Sequence, residues 1–346
     1  MAASPQETEV AIIGAGPVGL FAVFELGMLG IKAQVIDALD AVGGQCTALY
    51  PEKPIYDIPG MPEVMAADLV AHLKQQAAPF EPLYHLGQRV EKLERRDDGR
   101  WALVTSKGTE ILAQAVIVAA GVGAFGPHRP PIEGIEDYEE SGAVRYMVTR
   151  REDFRGKRVV IAGGGDSALD WTLSLAGVAE KIFVIHRRDK FRGAPDSVAK
   201  LRALAEEGSL VELVVPYQLH GLEGTDGKLE AVIAQSLKGE QRRLEADHLL
   251  PFFGLSMNLG PIADWGLNLE KNHVATTPAT CATSAPGIYA IGDIATYEGK
   301  LKLILCGFSE AAMTAHAIRK QLHPDEELHW EYSTTSGVPG SDQGAA

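Results

Sequence analysis

Short apolar runs, each closed by a glycine cluster and followed by a helix-periodic stretch, recur along this chain. The first covers residues 9–13, Glu9-Val10-Ala11-Ile12-Ile13, and Gly14-Ala15-Gly16-Pro17-Val18-Gly19 follows at once. Apolar residues at helical spacing then fill 17–29, Gly30 closes that helix, and 32–36 read as a second strand ending in Asp37. Strand, glycine turn, helix and strand make one βαβ unit. The pattern returns downstream: a strand over 158–162, then Gly163-Gly164-Gly165-Asp166-Ser167-Ala168, a helix to about residue 177 and a strand over 181–185. Further strands are predicted at 115–119, running into Gly121 and Gly123, and at 286–291, running into Gly292-Asp293, with a helix over 307–322 behind the latter. Alternating strands and helices imply an α/β fold with parallel sheets.

The two glycine turns carry the chemistry. In G-x-G-x-x-G the first glycine (Gly14) allows the tight turn, the second (Gly16) lets the backbone approach a pyrophosphate, and the third (Gly19) permits close helix–strand packing. The helix start offers free N–H groups and positive potential to the phosphates. Asp37 closes the second strand, where a carboxylate accepts hydrogen bonds from ribose hydroxyls. In the second copy Gly163, Gly165, Ser167 and Ala168 occupy the loop and helix start. Asp37 stands 23 positions after Gly14, and His186 stands 23 after Gly163, so the copies share one register. Where the first has its acid, the second has His186-Arg187-Arg188, with Lys190 and Arg192 beyond. Guanidinium groups there favour a 2′-phosphate over a free hydroxyl. The pair therefore reads as an FAD site followed by an NADPH site. Asp293, at a strand end, is suited to the ribityl chain of FAD, and the helix after it to stabilising negative charge on the reduced ring.

The order of motifs predicts two Rossmann-type, dinucleotide-binding domains of three-layer ββα form, one inserted in the other. Residues 1–119 and 281–335 are expected to form a discontinuous FAD domain, 120–280 the NADPH domain, and 336–346 a disordered tail. Connections near Gly121 and Pro286 are the expected hinge.

Composition narrows this little but consistently. At 346 residues the chain is long for one core, and 46% hydrophobic with 23% charged residues is globular. A formal charge of −14 argues against non-specific nucleic-acid or anionic-membrane binding. No apolar run approaches a membrane span, and the N-terminus lacks the basic and apolar regions of a secretion signal, which predicts a cytoplasmic protein. Cys46, Cys281 and Cys306 are far apart, and the 10 histidines lack ligand spacing, so no metal site is expected.

Taken together, Gly14-Ala15-Gly16-Pro17, Gly43-Gly44-Gln45, Gly163-Gly164-Gly165-Asp166-Ser167-Ala168, His186-Arg187-Arg188 and Gly292-Asp293 resemble the two-dinucleotide-fold flavoprotein reductases, thioredoxin reductase among them. Thioredoxin reductase carries a Cys-x-x-Cys just before its second glycine motif. Residues 146–154 here hold no thiol, so dithiol exchange is excluded there. The Gly43-to-Pro51 and Ile55-to-Gly60 segments, with a tail carrying Tyr332-Ser333-Thr334, are similar to the thioredoxin-reductase-like ferredoxin–NADP⁺ reductases of bacteria, which lack those cysteines.

That resemblance implies a homodimer that transfers hydride between NADP(H) and N5 of FAD and exchanges single electrons with ferredoxin. It assigns Asp37 to the adenosine ribose, Gln45 to the flavin region, Tyr50 to one flavin face, Val90 to the adenine through its backbone, and Phe125 and Asp293 to completing the site. Tyr332 would cover the opposite flavin face from the dimer partner, with Ser333 near N5 and Thr334 bonded to the ring; Tyr50, Tyr332 and Ser333 are thus the expected catalytic residues. Gly163, Gly165, Ser167, Ala168, His186, Arg187, Arg188 and Arg192 are the expected NADPH ligands. Alternatives are an NADPH-dependent flavodoxin or quinone reductase, an NADPH oxidase, and a non-enzymatic FAD/NADPH redox sensor. Ferredoxins are generally acidic, and Arg145, Arg150, Arg151, Arg155, Lys157 and Arg158, against only Glu152 and Asp153 nearby, form the expected docking patch.

Overall fold

A computed structural model describes residues 4–208, 210–326 and 337–338; for Ala124, Phe125 and 255–257 it describes the backbone alone. The chain divides into two units, Met1–Ala124 with Met257–Ala346, and Phe125–Ser256.

In the first unit, strand Gln6–Ile13 lies parallel to Ala33–Ile36 on one side and to Glu110–Val118 on the other. Leu83–His85 adds a fourth parallel strand beyond Ala33–Ile36. Strand Glu110–Val118 is the branch point of one seven-stranded sheet. Its first half pairs antiparallel with Trp101–Thr105, which leads out to Val90–Arg95, and its second half pairs parallel with Ile288–Ala290. The strands buried on both faces are near-continuous apolar runs, as parallel strands under helices must be. Helix Pro17–Met28 and the long helix Ile304–Leu322 share one apolar core with them, including Val23, Leu26, Ile117, Ala311 and Ile318.

The second unit repeats the plan. Val211–Val214, Lys181–Ile185, Arg158–Ala162 and His248–Pro251 form a parallel sheet in that order, with helix Asp166–Leu175 after the glycine loop. A meander of Tyr217–Thr225, Lys228–Ser236 and Gln241–Glu245 is the antiparallel layer. The common 23-residue offset is the register of the parallel pair itself: Val10 stands opposite Ala33, and Arg158 opposite Lys181.

One domain boundary moves. Residues 257–280, read from sequence as part of the inserted domain, belong to the first unit. Leu259, Ile262, Leu267 and Val274 are buried in a core with Val116 and Ile288. The hairpin of Leu269–Glu270 and His273–Ala275 pairs onward to Ala295–Thr296. These contacts are long-range, so the pattern along the chain does not report them. The other boundary falls at 124/125 rather than 119/120. The chain crosses between units on two strands, Ala124–Pro127 and Leu255–Asn258, that pair with each other.

Candidate functional site

The first glycine loop is shaped for a ligand on one side only. Gly14 has φ +115, and its amide donates to the Ile36 carbonyl (2.8 Å), so the turn is pinned to the neighbouring strand. A Cβ at Gly19 would overlap the Gly14 carbonyl oxygen, whereas one at Gly16 would meet nothing within 4 Å. The open face is therefore at Gly16, where the helix Pro17–Met28 begins with no side-chain cap on its N–H groups. The Gly43-Gly44-Gln45 turn packs on the same loop: the Gly43 amide donates to the Ala15 carbonyl (2.8 Å).

Asp37 is drawn into this loop rather than left to solvent. The backbone amides of Ala15 and Leu39 donate to its two carboxylate oxygens (2.6 and 2.8 Å). Burial pushes its pKa above the usual aspartate value, against those two hydrogen bonds. Each oxygen keeps a further lone pair for a ribose hydroxyl. The Gln88 amide donates to the Asp37 carbonyl (2.9 Å), which brings buried Val90 alongside.

Gln45 opens a short helix, Gln45–Ala48, beside Gly121. Tyr50 packs on a core that includes Cys46, with Phe308 also against it, and the Lys53 ammonium lies 5.7 Å from its ring. Its hydroxyl is 4.0 Å from the Cys46 sulfur. Burial pushes the Cys46 thiol up to about 11, and burial, Cys46 and Asp293 all raise Tyr50. Neither group is ionised at neutral pH. Gln45, Tyr50 and Asp293 are thus grouped around the Gly14–Gly19 loop in one unit. Phe125 lies on the strand Ala124–Pro127, and its side chain is outside the described part. Tyr332, Ser333 and Thr334, with all of 336–346 except 337–338, lie outside the described residues.

The second loop repeats this geometry. A Cβ at Gly163 would sit 2.6 Å from the Phe252 carbonyl oxygen and 3.1 Å from the Ala168 methyl, while one at Gly165 would meet nothing within 4 Å. Ser167 is exposed in the first turn of helix Asp166–Leu175, and no side chain caps that turn. The Arg192 amide donates to the Gly164 carbonyl (2.7 Å), strapping the basic segment to the loop. Arg187, Arg188 and Arg192 are exposed, and none is ion-paired among the described residues. An exposed, unpaired guanidinium cluster beside an uncapped helix start fits a phosphorylated nucleotide.

His186 departs from its neighbours. Its ring is buried, lies against Gly164, and packs at a tilt on Phe191, with ring centroids 5.2 Å apart. It packs the loop from below instead of joining the exposed cations. Burial, then the charges of Arg187, Arg192 and Arg188, hold it below the usual histidine range, against a hydrogen bond to the Lys190 backbone. A histidine lowered in the folded state takes up its proton more readily when unfolded. Stability is then full above the unfolded value, near 6.5, and falls as the pH drops through it. We expect His186→Asn to remove part of that acid decline in thermal melts between pH 7.5 and 5, the rest belonging to buried His85 and partly buried His248, which shift the same way. Superimposable pH profiles would show that His186 does not titrate there.

Three of the six cations of the expected docking patch are engaged in internal ion pairs. Arg145 pairs with Asp153 (2.8 Å), Arg155 with Glu152 (2.6 Å), and Arg158 with both Asp247 (3.2 Å) and Glu245 (2.7 Å). Glu245 and Asp247 are distant in sequence and arrive beside Arg158 from the segment just before the neighbouring strand His248–Pro251, so a count along the chain missed them.

Sequence motifs also missed Glu310, Lys300 and Tyr297. Glu310 is buried on the helix Ile304–Leu322, in a stripe otherwise made of Gly307, Ala311, Thr314, Ala315 and Ile318. A carboxylate at a core position of a helix is the signal that could have found it. Among the described residues no His/Cys/Asp/Glu group could hold a metal ion, and no helix is long and apolar enough to cross a membrane.

The chain is similar to known proteins over nearly its whole length. Residues 8–320 match the family described as pyridine nucleotide-disulphide oxidoreductase. A ferredoxin–NADP reductase of Paramagnetospirillum magneticum is 63% identical over 96% of this chain and 98% of its own. One from Wolbachia pipientis is 53% identical over 97% and 99%. Among solved structures, a thioredoxin reductase from T. acidophilum shares the fold with a TM-score of 0.78 at 21% identity, over 92% of this chain and 99% of that one.

Proposed function

The chain belongs to the ferredoxin–NADP reductase family of pyridine nucleotide-disulphide oxidoreductases, and from that membership we propose that it oxidises NADPH and passes the electrons singly to ferredoxin through bound FAD. The observation that carries this reading is the polarity of the two nucleotide sites. One ends its second strand in a carboxylate, Asp37, and the other ends it in unpaired arginines. Bound FAD supplies the conversion between a two-electron hydride and single electrons.

The chain's own part is binding and orientation. Gly14, Gly16 and Gly19 shape a loop whose open face admits a pyrophosphate, and Asp37 holds the adenosine ribose. Val90 meets the adenine through its backbone. Gln45, Tyr50, Phe125 and Asp293 bound the flavin and its ribityl chain, with the Tyr50 ring shielding one face from water. Gly163, Gly165, Ser167 and Ala168 seat the NADPH pyrophosphate, and Arg187, Arg188 and Arg192 select the 2′-phosphate. His186 supports that loop from behind.

The tail residues Tyr332, Ser333 and Thr334 are assigned to the flavin of a dimer partner. Exposure of Leu301, Leu303 and Leu305 (59, 39 and 40%) supports a second copy as their cover. The acidic chain, in which no helix among the described residues is long and apolar enough to cross a membrane, is assigned to the cytoplasm.

Turnover separates this reading from its relatives by fold. The purified protein should reduce ferredoxin with NADPH and show no activity on thioredoxin, since Cys46 and Cys281 are buried and all three cysteines are free. Ferredoxin turnover should fall as ionic strength rises if the exposed Arg150 and Lys157 of the basic segment meet an acidic partner, and a salt-independent rate would remove that segment from docking. NADPH oxidation that reduces quinones but not ferredoxin would overturn the assignment.

A further inference from the structure

The Gly292–Asp293 turn is held by a carboxylate that belongs to no motif. One oxygen of Glu310 accepts the Gly292 amide (2.7 Å), and the other accepts the Tyr297 hydroxyl (2.7 Å). Lys300 forms an ion pair with the same carboxylate, with side-chain exposures of 4% for Lys300 and 1% for Glu310. The Lys300 ammonium also lies 5.5 Å from the Tyr297 ring. A single side chain of the helix Ile304–Leu322 thus fastens three points of the segment 292–300.

Stability alone does not explain this arrangement. A buried ion pair is commonly no better than an apolar pair of the same volume, because desolvation offsets the attraction. What it adds is direction: a charged acceptor fixes a donor more strictly than packing does. The donor here is the amide of Gly292, a residue at φ +73. Val18, in the first turn of helix Pro17–Met28, is wedged against that turn. A Cβ at Gly292 would stand 3.5 Å from Val18, and one at Gly307 would overlap it. The turn is therefore referenced to the start of the phosphate-binding helix.

Resting on the flavin reading above, we propose that Glu310, supported by Lys300 and Tyr297, is the positioning residue that sets the Gly292–Asp293 turn against that helix and so retains FAD. The carboxylate does not touch the cofactor. It acts through the backbone that carries Asp293.

The test is the rate of FAD release from the full-length holoprotein, followed by flavin fluorescence after dilution, alongside thermal melts. The K300M/E310M double variant removes acceptor and charges together while keeping volume. It should melt near the parent temperature and release FAD about 10- to 100-fold faster, the scale of one hydrogen bond to a charged group. K300M/E310Q keeps an oxygen acceptor for Gly292 and should restore release to within about threefold of the parent. A folded K300M/E310M that releases FAD at the parent rate overturns the proposal, as do two double variants that release it equally fast. Should K300M/E310M not fold, Tyr297→Phe decides: it should speed release about threefold, and an unchanged rate overturns the proposal. A parent protein that binds no FAD overturns the flavin reading and this proposal together, whereas a flavin-bearing parent with insensitive variants overturns only this one.

Discussion

Replacing Arg187 and Arg188 together by alanine should raise the KM for NADPH about 100-fold and leave the KM for NADH within about twofold. A hydrogen bond to a charged group contributes about 1.5–3 kcal/mol, or roughly 10- to 100-fold in affinity. Both side chains are exposed, so water and salt screen them. The low end of that range, about tenfold for each, is the appropriate choice. The nucleotides differ only at the 2′ position, so NADH serves as an internal control for damage to the loop. Steady-state kinetics with both donors checks the outcome. Equal losses with NADPH and NADH would mean that the arginines hold structure, and an unchanged KM for NADPH would mean that the 2′-phosphate lies elsewhere.

The second large effect comes from two glycines three residues apart. Gly19→Ala should cost about 3 kcal/mol of stability, because the new methyl overlaps the Gly14 carbonyl oxygen and that atom belongs to a pinned backbone turn. Gly16→Ala should cost almost nothing in stability, since its methyl meets no atom within 4 Å and its φ of −69 suits any residue. It should nevertheless weaken FAD binding at least tenfold, because the methyl stands where the pyrophosphate approaches. Thermal melts and flavin content of the purified variants separate the two: G19A should melt early, and G16A should melt normally but be depleted of flavin. A stable, yellow G16A would remove the pyrophosphate from that loop.

Much of this architecture is legible because it is local. The strands over 158–162 and 181–185 stand where the apolar runs put them. The 23-residue repeat proves to be a strand register, which follows from one glycine turn and one helix of fixed length. What escaped is what sequence neighbours cannot report. Residues 257–280 join the first unit through buried side chains whose partners, such as Val116 and Ile288, are far off in the chain. The basic run from Arg145 to Arg158 looks unopposed until the segment leading into strand His248–Pro251 brings Glu245 and Asp247 beside Arg158. His186 sits in a run of cations and reads as one more ligand, yet the glycine opposite leaves a space that its ring fills. Glu310 was hidden for the converse reason. A lone acid in an apolar helix stripe acquires meaning only when the Gly292 amide, Tyr297 and Lys300 converge on it.

The central claim is that one chain holds a flavin beside a site that selects NADPH. Anaerobic stopped-flow absorbance of the purified protein, mixed with NADPH and separately with NADH, tests it most directly. A yellow protein bleached rapidly by NADPH and much more slowly by NADH is the predicted result. A colourless protein, or a bound flavin that NADPH leaves oxidised, would contradict it.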